Sequence, residues 1–549
     1  MIRDLNGAHN LDVMQADVHV IGAGIAGLLL ASRVAKAGKK VIVTESGGEQ
    51  QAAETHPLNE VVHLRSPYGG AVHGRFRCLG GTSTRWGGAM IPFQAADLVQ
   101  GPENRWPVSH DELIAYLPAA EAIFCLCPGP YDQPQIVTRM DGLAPSHLAR
   151  LAKWPSFRRR NLAKLLAADI RHTNGPEIWL NATATKFKHA PDGRLASVSA
   201  YAPDGCQITI RASHTVIAAG GIESTRLLLL ADRQHDERIF APDGVLGRYF
   251  YDHLSVGVGT IEPVNRPVLN RLAGFRFEGG GMRNLRFEPT GAPAVRAKIP
   301  PGFAHIAFAS GKAGGFDALR AVYRQLQKGG SSDVRSLVTL LKEAPWFAQA
   351  IWWRLRERRL LYPSEADLQV HMVIEQVPRP ENRITLSADR VDQYQQPLAA
   401  IDWAVSHEDE ANLARSTEAF ADLWQHSNLR QLGTFRRRQP GDAKAALANG
   451  SDVYHPGGAT RMGITSSTGV VDRDLKTFRV PNLSVVSTSA FPTGGGANPT
   501  MMLIMATLRA ADDIVMSCER GRKNDISYKI KDPASSVPAG PARKSEAAL

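Results

Sequence analysis

The feature that most constrains this chain is a glycine-rich turn near its amino terminus, Gly22-Ala23-Gly24-Ile25-Ala26-Gly27. The turn follows a short apolar run at 18–21 and opens a stretch, 25–37, that reads as a helix; a second apolar run follows at 41–44. Strand, turn, helix and strand within about thirty residues are typical of a βαβ unit in a parallel sheet. The turn therefore predicts an α/β fold.

The spacing of the three glycines indicates what the turn binds. Gly22 permits the tight turn, Gly24 lets a pyrophosphate approach the backbone, and Gly27 lets helix and strand pack closely. Glu45 ends the second strand, where a carboxylate can accept hydrogen bonds from ribose hydroxyls. The alternative is a glycine turn without a ligand. We favour a dinucleotide without a 2′-phosphate, and the motif alone fits FAD and NAD equally.

Composition excludes several other classes of protein. The chain has 549 residues and a net charge of +11, but its basic clusters are scattered and match no nucleic-acid-binding motif. Five cysteines form no disulfide framework, and Cys125 and Cys127 lack a second ligand pair for a metal. No secretory signal or membrane-spanning stretch is evident. We therefore expect a cytoplasmic enzyme with no metal and no nucleic-acid partner.

Coarse periodicity predicts the other helices and strands. Residues 50–95 read as a long ordered loop and 255–310 as β-rich, and the tail from Cys518 is expected to be disordered. The predicted helices are 111–126, 161–172, a helix after Gly221, 316–328, 332–360, 408–427 and 501–517. The predicted strands are 178–187, 197–210, 215–218, 368–375 and 383–386.

Three further glycine-rich segments indicate the cofactor. They are Cys78-Leu-Gly-Gly-Thr-Ser-Thr-Arg-Trp-Gly-Gly88, Thr215-Val-Ile-Ala-Ala-Gly-Gly-Ile-Glu-Ser-Thr-Arg226, and a carboxyl-terminal stretch with Tyr454-His-Pro-Gly-Gly and Gly494-Gly-Gly-Ala-Asn-Pro-Thr500. Glycines among small hydroxyl residues let backbone approach a flat ligand closely.

With these segments the chain resembles the glucose–methanol–choline (GMC) flavin oxidoreductases from about residue 17 to 516. The G-G-T-S-x-x-W-G-G pattern is most similar to a bacterial sugar- or polyol-oxidising branch related to pyranose oxidase and fructose dehydrogenase. The resemblance implies a Rossmann-like FAD domain of discontinuous segments and a substrate domain with an antiparallel sheet flanked by helices. The expected ranges are an arm at 1–16, the FAD domain at 17–255 with a flavin loop at 78–93, the substrate domain at 256–440, a returning segment at 441–517, and a tail at 518–549.

The resemblance also implies roles for individual residues. His455 and Asn498 would be the catalytic pair, and Asp472 would lie along the flavin. The implied cofactor contacts are Gly22, Gly24, Gly27, Glu45, Gly80, Gly81, Thr82, Ser83, Trp86, Gly87, Ala184, Ala219, Gly220, Ser487, Asn498, Pro499 and Thr500. Arg85 stands where pyranose oxidase has the histidine that bonds to flavin, so FAD is expected to bind non-covalently. Ser487 stands where many members have aspartate.

Alcohol oxidation by hydride transfer favours a histidine and an asparagine at the reacting carbon, independently of the family resemblance. Histidine is a base near neutral pH that can take the hydroxyl proton of an alcohol as hydride leaves its carbon. Asparagine offers a donor and an acceptor to the alcohol oxygen. The alternatives are a turn histidine and a plain helix cap. Asp252-His253 is interpreted as structural support, and Gln376 as a residue that could reach the pocket.

The expected function is oxidation of a CH–OH group by hydride transfer to FAD, with His455 as base. The substrate would be a sugar, polyol or glycoside; the alternatives are a sterol-like alcohol and a flavin-binding protein without turnover. Oxygen, a quinone or a redox protein would accept the electrons. An aromatic, basic helix at 346–360 either packs on the substrate domain, which we favour, or gives weak membrane-surface association.

Overall fold

A computed structural model describes residues 1–8, 12–51, 54–101, 103–309, 344–439 and 453–531, together with positions 441, 442, 445 and 447. Side chains are described over the same residues except 344 and 520–531. All statements below refer to these parts of the chain.

The strands fall into two large sheets and two small ones. In chain order they are β1 (Ile2–Asp4), β2 (Met14–Ile21), β3 (Val41–Thr44), β4 (Val61–His63), β5 (Val99–Gln100), β6 (Asn104–Arg105), β7 (His147–Trp154), β8 (Glu177–Leu180), β9 (Thr183–His189), β10 (Leu195–Tyr201), β11 (Gln207–Ile217), β12 (His253–Pro263), β13 (Arg276–Glu278), β14 (Gly281–Pro289), β15 (Gly302–Ala309), β16 (Asp367–Glu375), β17 (Arg383–Val391), β18 (Pro397–Asp402), β19 (Gly433–Arg437) and β20 (Leu483–Val485).

The helices are mostly short, apart from those that cover the sheets. The α-helices are α1 (Ile25–Lys36), α2 (Gly70–His73), α3 (His110–Ile114), α4 (Leu117–Phe124), α5 (Leu162–Leu165), α6 (Ala167–Arg171), α7 (Gly221–Arg233), α8 (Arg266–Ala273), α9 (Pro293–Arg296), α10 (Ala344–Trp352), α11 (His407–His426) and α12 (Thr500–Lys531). A π-helical turn covers Trp353–Glu357, and 3₁₀ turns cover Pro57–Asn59, Gly81–Thr84, Ala95–Leu98, Pro134–Ile136, Phe157–Arg159, Ala241–Asp243, Asn428–Gln431 and Thr488–Ala490.

The first large sheet has a parallel core in the order β1-β8-β3-β2-β11-β20. β9 and β10 add an antiparallel extension on the amino-terminal half of β11. β3, β20 and the second half of β2 are buried on both faces, which suits their apolar runs. Helices α1 and α12 pack together, and Arg33 forms a two-pronged ion pair with Asp512 at 2.5 and 2.8 Å. The predicted α/β class and the βαβ unit at the glycine turn are confirmed.

The second large sheet is antiparallel, in the order β13-β14-β15-β16-β12-β19, with β7 beside β14. One face buries alternate apolar residues such as Leu285, Phe287, Val370 and Met372. β7 (147–154) belongs to this sheet although it lies within the range expected for the FAD domain, because it pairs along β14 from Trp154 to His147. The smaller sheet β17-β18-β4 also joins distant parts of the chain.

Several predicted boundaries are wrong for local reasons. The helix expected at 111–126 is two helices, and Pro118 in the first turn of the second cannot donate a backbone hydrogen bond. The helix expected at 161–172 breaks at Leu166. The strand expected at 178–187 breaks at Asn181, which has a φ of 52°. The strand expected at 197–210 is a hairpin that turns at Gly205.

The last helix also differs from the prediction, because it continues to Lys531 instead of ending near 517. The charged residues after Cys518 read as a disordered tail in isolation, but Glu, Arg and Lys are good helix formers and extend a helix that packing on α1 has already started. Residues 532–549 and the helix expected at 316–328 lie outside the described residues, as does the first part, 332–343, of the helix expected at 332–360.

Candidate active site

The glycine turn has the geometry that its spacing predicts. A Cβ on Gly22, whose φ is 105°, would lie 2.6 Å from the Ala218 carbonyl oxygen, and a Cβ on Gly27 would lie 1.9 Å from the Gly22 carbonyl oxygen. Both positions therefore need glycine for the fold itself. A Cβ on Gly24 would meet nothing within 4 Å, so the space in front of α1 is open.

Glu45 is buried at the end of β3 and stabilises this turn. Its carboxylate accepts hydrogen bonds from the backbone N–H groups of Ala23 at 2.8 Å and Gly47 at 2.9 Å. Burial raises the pKa of Glu45, although these two hydrogen bonds and Arg77 oppose the shift. The carboxylate therefore connects the glycine turn to the loop that follows β3.

The segment 78–88 packs directly on the glycine turn. The Gly80 N–H donates to the Ala23 carbonyl at 2.9 Å, and a Cβ on Gly81 would lie 2.8 Å from the Gly24 Cα. Ser83 is buried and donates through its Oγ to the Gly80 carbonyl. Thr82 and Gly87 are exposed beside it, and Trp86 donates through Nε1 to the Arg160 carbonyl at 2.8 Å.

The other predicted cofactor residues lie at strand ends and helix starts. Ala219 donates its N–H to Ser224 Oγ at 3.1 Å, and Gly220 precedes α7 with a φ of 80° and open space where a Cβ would be. Ala184 is buried in β9, opposite Ala200. Ser487 is buried after β20 and accepts from the Ser489 N–H. Thr500 begins α12, and Pro499 immediately precedes it.

The starts of α1 and α7 have a geometry that fits a dinucleotide. α1 and α7 begin next to each other in the sheet order, because they follow the adjacent strands β2 and β11. Each starts after a glycine that has open space at its missing Cβ, Gly24 or Gly220. Helix amino termini present N–H groups and a positive dipole end to anions. The residues present therefore fit the pyrophosphate of a bound dinucleotide.

His455 and Asn498, which are 43 positions apart, lie side by side. Pro456, next to His455, lies against the start of α7, where its carbonyl oxygen would be 2.7 Å from a Cβ on Gly221. Asn498 Nδ2 lies 3.3 Å from His455 Nε2. Arg286, on β14, donates from Nη1 to Asn498 Oδ1 at 2.8 Å. Burial, with His253 and Arg286 nearby, lowers the pKa of His455 well below its usual value. The imidazole is therefore neutral at pH 7, with its Nε2 beside the carboxamide.

Asp252 positions the backbone of His455. Its carboxylate accepts from the N–H of His455 at 2.5 Å, from the N–H of His253 at 2.6 Å, and from the Tyr68 hydroxyl at 2.5 Å. Burial raises the pKa of Asp252 to about 6. One carboxylate thus joins segments around 68, 253 and 455, which agrees with the structural role predicted for Asp252-His253.

Glu375, at the end of β16, fixes the glycine loop before Asn498. It accepts from the N–H groups of Gly494 at 2.5 Å and Gly495 at 3.0 Å, and burial raises its pKa to about 7. His253 Nε2 lies 2.9 Å from the Gly495 carbonyl oxygen. The ends of β12 and β16, which pair His253 with Glu375, therefore hold the loop that carries Asn498.

Asp252, His253 and His455 also bring metal-ligand atoms within 4.8 Å of one another. The Asp252 oxygens already accept the three hydrogen bonds above, and His253 Nε2 already contacts the Gly495 carbonyl. The three side chains are therefore engaged in positioning His455 and the glycine loop at 494–496.

Three further residues that the sequence analysis singled out are Arg85, Asp472 and Gln376. Arg85 lies beside Gln51, with Nε donating to Oε1 at 2.5 Å. Asp472 forms a turn, in which it accepts from the N–H groups of Asp474 and Lys476. Gln376 is buried, and its Oε1 accepts from Trp403 Nε1 at 2.7 Å and from the N–H of Asp252 at 3.3 Å, so its reach into a substrate pocket stays a prediction.

Sequence reasoning missed Arg286, Glu375 and Tyr68. Asn284, Arg286 and Glu288 alternate with apolar Leu285 and Phe287, which indicates a strand with one polar face. The pattern does not reveal that this face meets Asn498, since that contact joins positions 212 apart. The signal for Glu375 was a carboxylate at the end of a predicted buried strand, directly before Gln376.

Comparison with known proteins gives two matching family models. A model described as GMC oxidoreductase matches residues 378–507, and one described as FAD binding domain matches residues 17–57. In the described parts of the chain, no helix combines the length and apolar character required to cross a membrane.

Similar proteins align with most of the chain. The 2-methyl-1,2-propanediol dehydrogenase of Mycolicibacterium austroafricanum is 24% identical, over 91% of this chain and 95% of that protein. The fructose dehydrogenase large subunit of Gluconobacter japonicus is 21% identical, over 93% and 99%. The structure of formate oxidase from Aspergillus oryzae RIB40 superposes with a TM-score of 0.53 at 14% identity, covering 94% of this chain and 100% of that one, and shows the same fold.

Proposed function

Because this chain is an FAD-dependent oxidoreductase of the GMC type that oxidises a CH–OH group, we propose that His455 and Asn498 carry out that oxidation. The observation that carries the proposal is the contact of 3.3 Å between His455 Nε2 and Asn498 Nδ2. A base and an amide at this distance can hold one hydroxyl oxygen between them.

The cofactor is held by the segments described above, namely the glycine turn, Glu45, the 78–88 segment, Gly220 and the start of α12. Bound FAD supplies a hydride acceptor. Attachment is non-covalent in this proposal, since Arg85 has no nucleophilic atom at the position where pyranose oxidase has its linking histidine. Acid precipitation of the holoenzyme should therefore release all of the flavin into the supernatant.

The hydrogen-bonding capacities of arginine and asparagine identify His455 Nε2 as the atom that accepts the proton. Arginine can only donate, so the Asn498 oxygen faces Arg286 and the NH₂ group faces His455. His455 Nε2 is then an acceptor, with its lone pair directed toward the carboxamide. A substrate hydroxyl that enters here donates its proton to His455 Nε2, while its oxygen accepts from Asn498 Nδ2. General-base help of this kind is worth about 10²- to 10⁴-fold in rate.

We propose a small polar alcohol, such as a sugar or polyol, as substrate. The face of the second sheet beside Asn498 carries Asn284, Arg286 and His305, and this polar lining supports a polar alcohol over a sterol-like one. The named substrates of the two relatives, a propanediol and fructose, support the same class.

The acceptor is a quinone, a redox protein or oxygen. An exposed apolar patch supports weak contact with a membrane surface: Ile351, Trp352 and Leu355 are 58%, 53% and 76% exposed and lie among Arg354, Arg356 and Arg358. Trp353 is buried under Arg271 of α8, and Arg354 lies 3.8 Å from the ring centroid of Phe277 on β13, so the same segment also packs on the substrate sheet. Comparing reoxidation of the reduced holoenzyme by oxygen and by a soluble quinone distinguishes the acceptors.

Stopped-flow flavin reduction under anaerobic conditions tests the proposed function. A panel of diols, polyols and sugars should bleach the flavin, and His455→Ala should slow bleaching by about 10²- to 10⁴-fold while FAD stays bound. Asn498→Ala should slow it less, because the base remains. Unchanged bleaching in His455→Ala would show that another group takes the proton, and a flavin that no alcohol bleaches would favour a binding protein without turnover.

A further inference from the structure

Among the described residues, Arg286 is a buried cation that forms no ion pair of its own; the nearby Glu288 carboxylate, which pairs with Arg150, acts on it only from beyond 4.0 Å. It is 3% exposed, donates to Asn498 Oδ1, and its Nε has no hydrogen-bond partner. Over the described ranges no carboxylate oxygen lies within 4.0 Å of its guanidinium, whereas Arg150 pairs with Glu288 at 2.5 Å and Arg296 with Asp97 at 2.9 Å. Desolvating an unpaired charge is costly, so this arrangement calls for an anion from outside the chain.

The guanidinium is held in place for such a contact. It lies over the Phe303 ring, 4.0 Å from the ring centroid, and burial lowers the pKa of Arg286 only to about 10, so it stays charged at pH 7. The contact with Asn498 uses one of five N–H donors. The other donors can serve a planar or tetrahedral oxyanion, which is the group that the arginine fork binds best.

Two imidazoles lie beside this guanidinium. His305 on β15 and His371 on β16 are paired across the sheet, and their rings stack at 5.5 Å. Burial, with His371 and Arg286 nearby, lowers the pKa of His305 to about 3. Opposite His371, β12 carries Gly257, whose missing Cβ would lie 3.7 Å from Arg438 Nη1 and 3.8 Å from the imidazole Nε2. This side of the sheet therefore brings a second guanidinium next to the paired imidazoles.

We propose that the alcohol oxidised by this enzyme carries an anionic oxygen group, a carboxylate or a phosphate, that binds Arg286 while the hydroxyl meets His455 and Asn498. This inference rests on the proposed function and specifies its substrate. Asn498 touches both Arg286 and His455, so the anion and the reacting carbon lie only a few bonds apart. A short hydroxy acid or a phosphorylated polyol satisfies this spacing.

Binding of unreactive ligands tests the anion site without turnover. The probes are propionate, its neutral isostere propionamide, and inorganic phosphate, each titrated into the oxidised holoenzyme and followed by the flavin difference spectrum. Propionate or phosphate should bind at least about 10-fold more tightly than propionamide, the value of one charged hydrogen bond. Arg286→Gln should abolish the difference, and Arg286→Lys should retain part of it. Equal binding of propionate and propionamide, or no detectable binding of either anion, overturns the proposal.

Turnover then identifies the anion and separates binding from positioning. The substrates are glycerol, glycerate and glycerol 3-phosphate, compared by the apparent second-order rate constant of flavin reduction. In the wild type, the rate constant for the better anionic substrate should exceed that for glycerol by about 10- to 100-fold, and Arg286→Gln should remove that preference. An equal loss for charged and neutral substrates would mean that Arg286 only orients Asn498, and would overturn the proposal.

A matched control removes a positive charge from the same sheet. Arg436 on β19 is exposed and pairs with Glu262 at the surface. Arg436→Gln should leave the preference for the anion unchanged, and a loss equal to that of Arg286→Gln would assign the effect to overall charge and overturn the site. If none of the three substrates reduces the flavin but propionate still binds through Arg286, the anion site stands and the choice of alcohol is wrong.

Discussion

Asp252 accepts a hydrogen bond of 2.5 Å from the backbone N–H of His455, across 203 positions of the sequence. The same carboxylate accepts from the Tyr68 hydroxyl and from the N–H of His253, so it links the His455 backbone to two other segments of the chain. A base works only when its lone pair points at the proton that it removes, and a shift of about 1 Å can cost 10²-fold in rate. The first prediction concerns this contact.

Asp252→Ala should lower the rate of flavin reduction by about 10- to 100-fold with FAD still bound, because the His455 backbone loses its anchor. Asp252→Asn should lose less, since the amide oxygen still accepts from that N–H. Stopped-flow reduction measures both. Asp192→Asn is the control, since Asp192 also accepts a backbone N–H but lies in an exposed turn. Equal rates for Asp252→Ala and wild type would contradict the anchoring role.

Glu375 should make the protein less stable as pH rises. Burial raises its pKa from 4.5 to about 7, so between these values the folded state holds a proton that the unfolded state has lost. The free energy of unfolding then falls with rising pH, by about 3 kcal/mol at most for this one group. Asp252, with a pKa of about 6, contributes in the same direction at slightly lower pH.

Glu375→Gln removes the contribution of Glu375 to the pH dependence of stability, and its amide oxygen can still accept from Gly494 and Gly495. Thermal unfolding of variant and wild type between about pH 5 and pH 8 should show the variant gaining relative stability as pH rises. Glu365→Gln, at an exposed position, should follow the wild type. Parallel curves for Glu375→Gln and wild type would show that the carboxyl titrates normally.

Glu45 should control cofactor affinity through the glycine turn. Glu45→Ala removes the acceptor of the Ala23 and Gly47 N–H groups and leaves two buried amides without a partner, at about 1–3 kcal/mol each. FAD affinity of the apoprotein, measured by flavin fluorescence quenching, should fall at least about 10-fold. Glu45→Gln retains an acceptor and should fall less. Glu49→Ala, an exposed acid in the same loop, provides the comparison, and equal affinities for Glu45→Ala and Glu49→Ala would refute this role.

The sequence predicted those parts of the structure that depend on local chemistry. The glycine turn, α1 and β3 follow from a pattern within about thirty residues, because βαβ units have their own spacing. The motif resemblance supplied His455 and Asn498 as a pair, and the structure brings them within 3.3 Å. Arg286 and Tyr68 could not be found in this way, since each acts on a residue about two hundred positions distant, and only the paired strands decide such contacts.

The surface patch of Ile351, Trp352 and Leu355 gives the last prediction. Trp or Leu side chains that leave water contribute about 1.5–3 kcal/mol each, and each nearby arginine adds about 1 kcal/mol at an anionic membrane surface. Trp352→Ser with Leu355→Ser should therefore lower co-sedimentation with phosphatidylserine-containing vesicles at least about 10-fold. Flavin reduction by a soluble alcohol should be unaffected. Ile464 is 80% exposed and apart from this patch, so Ile464→Ser is the control. Wild-type protein that binds vesicles with and without phosphatidylserine equally, or not at all, would leave the patch as an exposed packing surface of the substrate sheet.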